Sequence, residues 1–179
     1  MTEKRPSILG RVLELLVIAV IAAAIALFTR GFVAQPYVIP SGSMIPTIEI
    51  GDMVLAEKLT YALAREPQQG DIVVFADPNG VHDQLIKRVV ATGGQTVDVR
   101  DGKVWVDDKV LDEPYTHGVE SLPGTVQLPI KLQQGEIWLM GDNRPESGDS
   151  RFFGPQSITT VKGRAFWRHW PLNRFGKLE

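Results

Sequence analysis

The feature that most constrains the fold is an apolar run near the N-terminus, residues 15–28 (LLVIAVIAAAIALF), in which no side chain is polar. A helix rises about 1.5 Å per residue, so this run alone is short for a hydrocarbon core of roughly 30 Å. Apolar residues continue beyond Glu14 on one side and beyond Arg30 on the other, and charged side chains there can reach the interfaces. The sequence therefore predicts a single transmembrane anchor over residues 12–34.

A cleavable signal peptide is the alternative for the same run, which also suits an h-region. A cut after Ala34 would place the bulky Phe32 at the −3 position, so a retained anchor is favoured. Lys4, Arg5 and Arg11 precede the run. The positive-inside rule then predicts that residues 1–11 are cytoplasmic and that residues 35–179 are extracytoplasmic.

Residues 35–179 have the pattern of one mostly antiparallel β domain. A single short helix is predicted there, over residues 59–65, which is too little for βαβ units. Asp101 and Gly102 separate two apolar segments and indicate a hairpin. Apolar segments bounded by turn residues predict strands over residues 52–56, 70–75, 84–91, 97–99, 104–106, 127–132 and 136–140.

The composition excludes several kinds of site. The chain has 179 residues, no cysteine and a net charge of −2. Without cysteine there is no thiolate catalysis and no cysteine-based metal site, and the three histidines lack a metal-ligand spacing. The small net charge offers no basic field for nucleic acid. The composition therefore indicates neither a cysteine- or histidine-based metal site nor a nucleic-acid partner.

A rigid turn, residues 40–47 (PSGSMIPT), follows the apolar run. Gly42 permits close backbone approach, while the prolines at both ends restrict the conformation. Such a turn is usually an ordinary loop. The alternative is a turn that holds a serine hydroxyl in a fixed place for catalysis.

Lys87 lies within an apolar predicted strand, where alternation places it on the same face as Val89 and Ala91. One interpretation is an edge-strand lysine that points to solvent and discourages edge pairing. The other is a buried lysine, whose pKa falls because burial disfavours the charged form, so that the neutral amine can act as a base. Since no histidine lies in a motif, a serine–lysine pair becomes a candidate for nucleophilic catalysis.

A polar segment, residues 141–154 (GDNRPESGDSRFFG), follows the last predicted strand. A solvated loop is the ordinary explanation. The composition also suits a hydrogen-bonded network that holds neighbouring groups in place, with Asp149 and Arg151 able to pair locally.

Four stretches in this order behind the apolar run resemble the successive boxes of bacterial type I signal peptidases: residues 40–47, 70–75, 87–90 and 141–151. The resemblance continues to residues 170–172 (WPL). It implies a membrane-bound serine endopeptidase with a Ser–Lys dyad, which removes N-terminal signal peptides from exported preproteins and cuts after small residues at −1 and −3. The implied fold is a β-rich catalytic core with a small variable β insertion, expected at about residues 101–134.

The roles of individual residues follow from the same resemblance. Ser43 matches the nucleophile and Lys87 the general base, and the hydroxyl of Ser41 with the N–H of Ser43 matches the oxyanion donors. The other matched positions are a network that supports the lysine and a set that lines shallow S1 and S3 pockets. The network is Ser147, Asp149 and Arg151, and the pocket set is Ile39, Met44, Leu85 and Ile86.

The chain departs from the family pattern at residues 91–95 (ATGGQ), where the family commonly has Gly-Leu-Pro-Gly-Asp. This turn keeps Gly94 but loses the proline and the acid. The partners implied by the resemblance are preprotein signal peptides, the lipid bilayer and nearby export machinery, and it implies no cofactor and no metal. The implied location is a bacterial cytoplasmic membrane, with a thylakoid membrane as the alternative.

Two other functions are compatible with parts of the sequence. A catalytically silent relative would bind extracytoplasmic segments without cutting them, but it would not need both Ser43 and Lys87. A repressor-type peptidase would cleave its own chain, but the apolar run and the lack of a DNA-binding segment disfavour it. Residues 165–170 (AFWRHW) are interpreted as the last core strand; the alternative places Trp167 or Trp170 in the lipid interface.

Overall fold

The computed structural model describes residues 8–28 and 34–178, which form helix α1 (Ile8–Phe28), a β-rich body and the short helix α2 (Ser150–Phe153). The strands are β1 (Ala34–Val38), β2 (Met53–Glu57), β3 (Ile72–Ala76), β4 (Gln84–Thr92), β5 (Thr96–Arg100), β6 (Lys103–Val106), β7 (Lys109–Val110), β8 (Ile130–Lys131), β9 (Glu136–Met140), β10 (Gln156–Ser157), β11 (Val161–Trp170) and β12 (Gly176–Lys177).

The strands of the body form two antiparallel sheets, which confirms the predicted β-rich class. The larger sheet has the order β1-β2-β11-β3-β4-β9-β10, with β12 beside β11. The smaller sheet has the order β7-β6-β5-β8 and extends from Thr96 to Lys131, so it contains most of the range expected for an insertion. The two sheets are joined through the tight turn from β4 to β5 and the return from β8 to β9.

Helix α1 covers the first part of the predicted transmembrane anchor. Within the described residues, no helix is both long enough and apolar enough to cross a membrane. Residues 29–33 of the predicted anchor lie outside the described residues. The anchor over residues 12–34 is therefore not confirmed.

Strand β4 is central in the larger sheet, between β3 and β9. An edge position for Lys87 is therefore wrong. Lys87 lies opposite Val73 of β3, on the face where Val89 also packs. The pairing of β4 with β9 shifts register between Val89 and Ala91. Because of this irregularity Ala91 packs in the cluster beneath the smaller sheet, and its predicted position on the face of Lys87 is wrong.

Local chemistry explains the remaining differences from the sequence pattern. The predicted helix over residues 59–65 is a single helical turn, Thr60–Ala64. In the turn after β4, Gly94 has a φ of 89°, which favours glycine, and the side chain of Gln95 accepts the backbone N–H of Thr92 at 2.9 Å. Gln95 thus closes this turn with its side-chain oxygen. Residues 165–170 lie in β11, as the strand interpretation predicts.

Candidate active site

The turn that carries Ser43 is fixed from beneath by buried side chains. The N–H of Ile45 donates to the carbonyl of Gly42 at 3.1 Å, and the N–H of Ile48 donates to that of Met44 at 2.9 Å. Met44 and Ile48 are fully buried in the cluster under β2 and β3. Ser43 itself is only 7% exposed. The turn is therefore an ordered part of the core edge and not a mobile loop.

Strand β4 brings Lys87 to this turn. Its Nζ lies 2.7 Å from Oγ of Ser43 and 3.0 Å from the carbonyl oxygen of Ile86, where a protonated amine donates to both. Lys87 is 3% exposed. The structure thus places a buried amine and a serine hydroxyl at hydrogen-bond distance although 44 positions separate them in sequence.

Burial lowers the pKa of Lys87 from 10.5 to about 8, because a desolvated ammonium is disfavoured. The negative charges of Asp149, Asp142 and Asp77 act in the opposite direction and raise it, in that order of importance. Desolvation is the larger effect, so a substantial neutral fraction exists at mildly alkaline pH. A neutral amine at 2.7 Å can accept the proton of the hydroxyl, which is the geometry that general-base activation of a serine requires.

The polar segment after β9 contacts residues 40–47, which we call the serine turn, from the other side. The N–H of Asn143 donates to the carbonyl of Ser43 at 3.1 Å, and Nδ2 of Asn143 donates to the carbonyl of Gly42 at 3.0 Å. Gly141 packs so closely that a Cβ would overlap the carbonyl oxygen of Ser43 and Oγ of Ser147. Residues 141–143 therefore form a backbone support for Ser43, which we call the serine clamp.

Asp149 and Arg151 form the predicted local pair, and both are buried. Nε and Nη2 of Arg151 lie 2.8 and 2.9 Å from the two carboxylate oxygens of Asp149. Asp149 also accepts the N–H of Gly141 at 3.1 Å, and Nη2 of Arg151 donates to the carbonyl of Arg144 at 2.6 Å. The pair thus contacts the serine clamp directly and affects Lys87 through its charge.

Ser147 is buried beside the serine clamp, and its Oγ has no hydrogen-bond partner among the described residues. The role in orienting Lys87 that the resemblance gives it therefore stays a prediction. Ser41 and Ser43 line a cleft of about 360 Å³ together with Lys87 and Leu85. The other members of the predicted pocket set, Ile39, Met44 and Ile86, pack in the core cluster beneath, and their place in a substrate pocket also stays a prediction.

A second buried ion pair, which the sequence did not predict, joins Arg88 to Asp142. Nε and Nη2 of Arg88 donate to the two carboxylate oxygens of Asp142 at 2.9 and 2.7 Å, and Oγ1 of Thr47 donates to Asp142 at 2.5 Å. This network joins β4, the serine clamp and the end of the serine turn. The sequence feature that could have predicted this pair is Arg88 itself, because an arginine next to Lys87 in an apolar strand needs a buried partner.

Comparisons with known proteins identify the family of the chain. A model of the family described as signal peptidase, peptidase S26, matches residues 12–170. The chain is 39% identical to probable signal peptidase I-2 of Synechocystis sp., over 93% of this chain and 77% of that protein. It is 37% identical to thylakoidal processing peptidase 1, chloroplastic, of Arabidopsis thaliana, over 86% of this chain and 47% of that protein. A solved signal peptidase I from Enterococcus faecalis V583 has 28% identity and a TM-score of 0.49, covering 56% of this chain and 97% of that chain.

The β-rich body brings a buried lysine amine within hydrogen-bond distance of a serine hydroxyl. The chain belongs to the signal peptidase family, peptidase S26, and it is a serine endopeptidase of that family. The resemblance noted in the sequence is thereby confirmed.

Proposed function

We propose that Ser43 and Lys87 form the catalytic dyad of this enzyme, and that it removes signal peptides from exported preproteins. The observation that carries the proposal is the 2.7 Å contact between Nζ of Lys87 and Oγ of Ser43 in a buried environment. No histidine is needed, because a lysine whose pKa is lowered by burial can act as the base alone.

The proposed reaction begins when Oγ of Ser43 attacks the scissile carbonyl carbon while its proton passes to Nζ of Lys87. The negative oxygen of the tetrahedral intermediate is stabilised by the hydroxyl of Ser41 and the N–H of Ser43. The ammonium of Lys87 then protonates the leaving amine as the peptide bond breaks. In the second half, Lys87 takes a proton from water while the resulting hydroxide attacks the carbonyl carbon of the ester on Ser43. Lys87 then returns that proton to Oγ of Ser43 as the ester bond breaks, and the signal peptide leaves with a new C-terminal carboxyl group.

The preference for small residues at −1 and −3 is part of the same proposal. It is supported by Leu85, which lines the cleft, and by Ile39 and Ile86, which pack in the same core cluster as Met44 next to Ser43. Preproteins with Ala at both positions should be cut much faster than matched preproteins with Leu at either one. Equal cleavage rates for the two sets would contradict this specificity.

We propose further that the enzyme works at a membrane near the export machinery, with α1 in contact with lipid. The support is the apolar surface of α1, on which Leu13, Leu15 and Val20 are 63%, 66% and 68% exposed. Exposed apolar surface of this kind indicates contact with a membrane or a partner. The proposed side for residues 1–11 is cytoplasmic and for the β-rich body extracytoplasmic.

The central test is cleavage of a preprotein by the purified full-length chain. Ser43→Ala should abolish cleavage with unchanged folding, because it removes only a hydroxyl. Ser41→Ala should lower kcat on the order of 10²- to 10³-fold, as expected for the loss of one oxyanion donor. An exposed serine on β10 provides the control, so Ser157→Ala should cleave at the wild-type rate. Wild-type cleavage by Ser43→Ala would show that the nucleophile is another residue.

A further inference from the structure

The connection from β7 to β8 belongs to the smaller sheet, yet it reaches the loop that supports Ser43. Glu113 lies in this connection, and its carboxylate pairs with the guanidinium of Arg144. Nη1 of Arg144 donates to Oε2 at 2.9 Å and Nη2 donates to Oε1 at 2.5 Å. The side chains are 1% exposed for Arg144 and 10% for Glu113. A bidentate ion pair that is shielded from water in this way fixes the orientation of the guanidinium group of Arg144.

Arg144 transmits this orientation to the serine clamp. It directly follows Asn143, whose N–H donates to the carbonyl of Ser43. Nε of Arg144 donates to the carbonyl of Gly141 at 3.0 Å, and its Nη1 also contacts Oγ of Ser121 in the same connection. The backbone on both sides of Asp142 is therefore tied, through Arg144, to the smaller sheet.

Tyr115 links the same connection to the strand of Lys87. Its ring lies 3.9 Å from the guanidinium carbon of Arg88, the residue that follows Lys87 and pairs with Asp142. Its hydroxyl donates to Oε1 of Glu113 at 3.1 Å. Glu113 and Tyr115 thus form one hydrogen-bonded unit, which contacts the serine clamp through Arg144 and β4 through Arg88.

We propose that Glu113 and Tyr115 are positioning residues for the dyad, so that the smaller sheet takes part in catalysis by setting the relative placement of Ser43 and Lys87. This rests on the proposed role of those two residues. Neither Glu113 nor Tyr115 touches the dyad atoms or lines the cleft. Their effect is therefore on the turnover step, since a displacement of about 1 Å between reacting groups can cost on the order of 10²-fold in rate.

The first test compares Glu113→Gln with Glu120→Gln in the full-length chain, with preprotein cleavage as the assay. Glu120 is an exposed acid in the same connection and serves as the matched control. For Glu113→Gln we expect kcat to fall about 10- to 100-fold while KM changes by less than about threefold. Glu113→Asp, which keeps the charge, should recover part of kcat. Glu120→Gln should match the wild type in both constants.

A second pair of variants separates positioning from general stability. Tyr115→Phe keeps the ring over Arg88 and should retain most of kcat, whereas Tyr115→Leu removes the ring and should lower kcat at unchanged KM. Each assay is run at a temperature where circular dichroism shows the variant folded. If Glu113→Gln does not fold, Glu113→Asp and the Tyr115 variants decide the question by the same criterion.

The proposal is overturned if folded Glu113→Gln, or in its absence Glu113→Asp and Tyr115→Leu, turn over at the wild-type kcat. It is also overturned if these variants change only KM. Ser43→Ala, measured in parallel, separates a failure of the proposed dyad from a failure of the positioning role. If Ser43→Ala is inactive and Glu113→Gln is fully active, the dyad proposal stands and only the positioning role is contradicted. If Ser43→Ala is active, both proposals are contradicted.

Discussion

At the scale of single residues, the main feature is the burial of Lys87, the proposed general base, which opposes stability. Lys87 has its pKa lowered to about 8 in the folded chain by desolvation, whereas the free side chain titrates near 10.4. Above a pH of about 10.4 neither the folded nor the unfolded chain carries a proton on Lys87, so this residue has no effect on the pH dependence of stability. As the pH falls from about 10.4 to about 8, the unfolded chain binds the proton before the folded chain does, and folding becomes less favourable. Below about pH 8 the cost is complete.

The expected consequence is that Lys87→Met raises the free energy of unfolding by up to about 3 kcal/mol at pH 6, because about 1.36 kcal/mol corresponds to each pKa unit. The gain should shrink as the pH rises towards about 10. Urea unfolding at several pH values measures it, with exposed Lys162→Met as the control. A gain that is independent of pH, or a loss at pH 6, would contradict the assigned burial of a titrating amine.

The local sequence pattern pointed to the serine turn, to Lys87 in its apolar strand and to a local Asp149–Arg151 pair, and the family resemblance singled out Ser43 within the turn. It missed the contacts made across the fold. Nothing local predicts that Glu113 faces Arg144, or that Gly141 touches the carbonyl of Ser43, since these contacts join separate elements. The pocket set shows the same limit, because matching positions to a family does not tell whether a buried side chain of this chain also borders a cleft.

At the scale of elements, the close approach of the serine clamp to the serine turn is the critical contact. Gly141→Ala introduces a Cβ where the carbonyl of Ser43 and Oγ of Ser147 already lie. We expect a loss of about 1–3 kcal/mol in the free energy of unfolding, as for other overpacked sites, together with a fall in kcat. Gly148→Ala, in the same segment but with open space around it, should keep the wild-type stability. Equal stability of the two variants would contradict this contact.

Element prediction from sequence succeeded where apolar runs were long and failed where pairing depended on distant strands. The runs that become β3, β4 and β9 are buried and continuous, so their pattern is clear. Strand β1 was not predicted, because it carries Pro36 and is defined by its pairing with β2. The irregular register between Val89 and Ala91 breaks the alternation that sequence reasoning assumes, and it arises from pairing with β9.

At the scale of the whole molecule, the proposed lipid contact of α1 can be checked on the intact chain. We expect the full-length protein to float with vesicles of bacterial lipid in a density gradient. Leu13→Lys, Leu15→Lys and Val20→Lys, combined in one variant, place three charges on exposed positions of α1 and should weaken flotation. A control with three lysines at exposed polar positions of the smaller sheet should float normally. Unchanged flotation of the α1 variant would contradict the proposed lipid contact.

The central claim is that Lys87 is the general base, and its most direct test is preprotein cleavage by folded Lys87→Arg. Arginine keeps the charge and most of the length but does not deprotonate, since its pKa exceeds 12. We expect kcat/KM of Lys87→Arg to fall at least about 10³-fold. In the wild type, kcat/KM should rise with pH through an ionisation near the Lys87 pKa of about 8. Lys162→Arg, at an exposed position, should cleave normally. Near wild-type cleavage by Lys87→Arg would contradict the Ser–Lys mechanism.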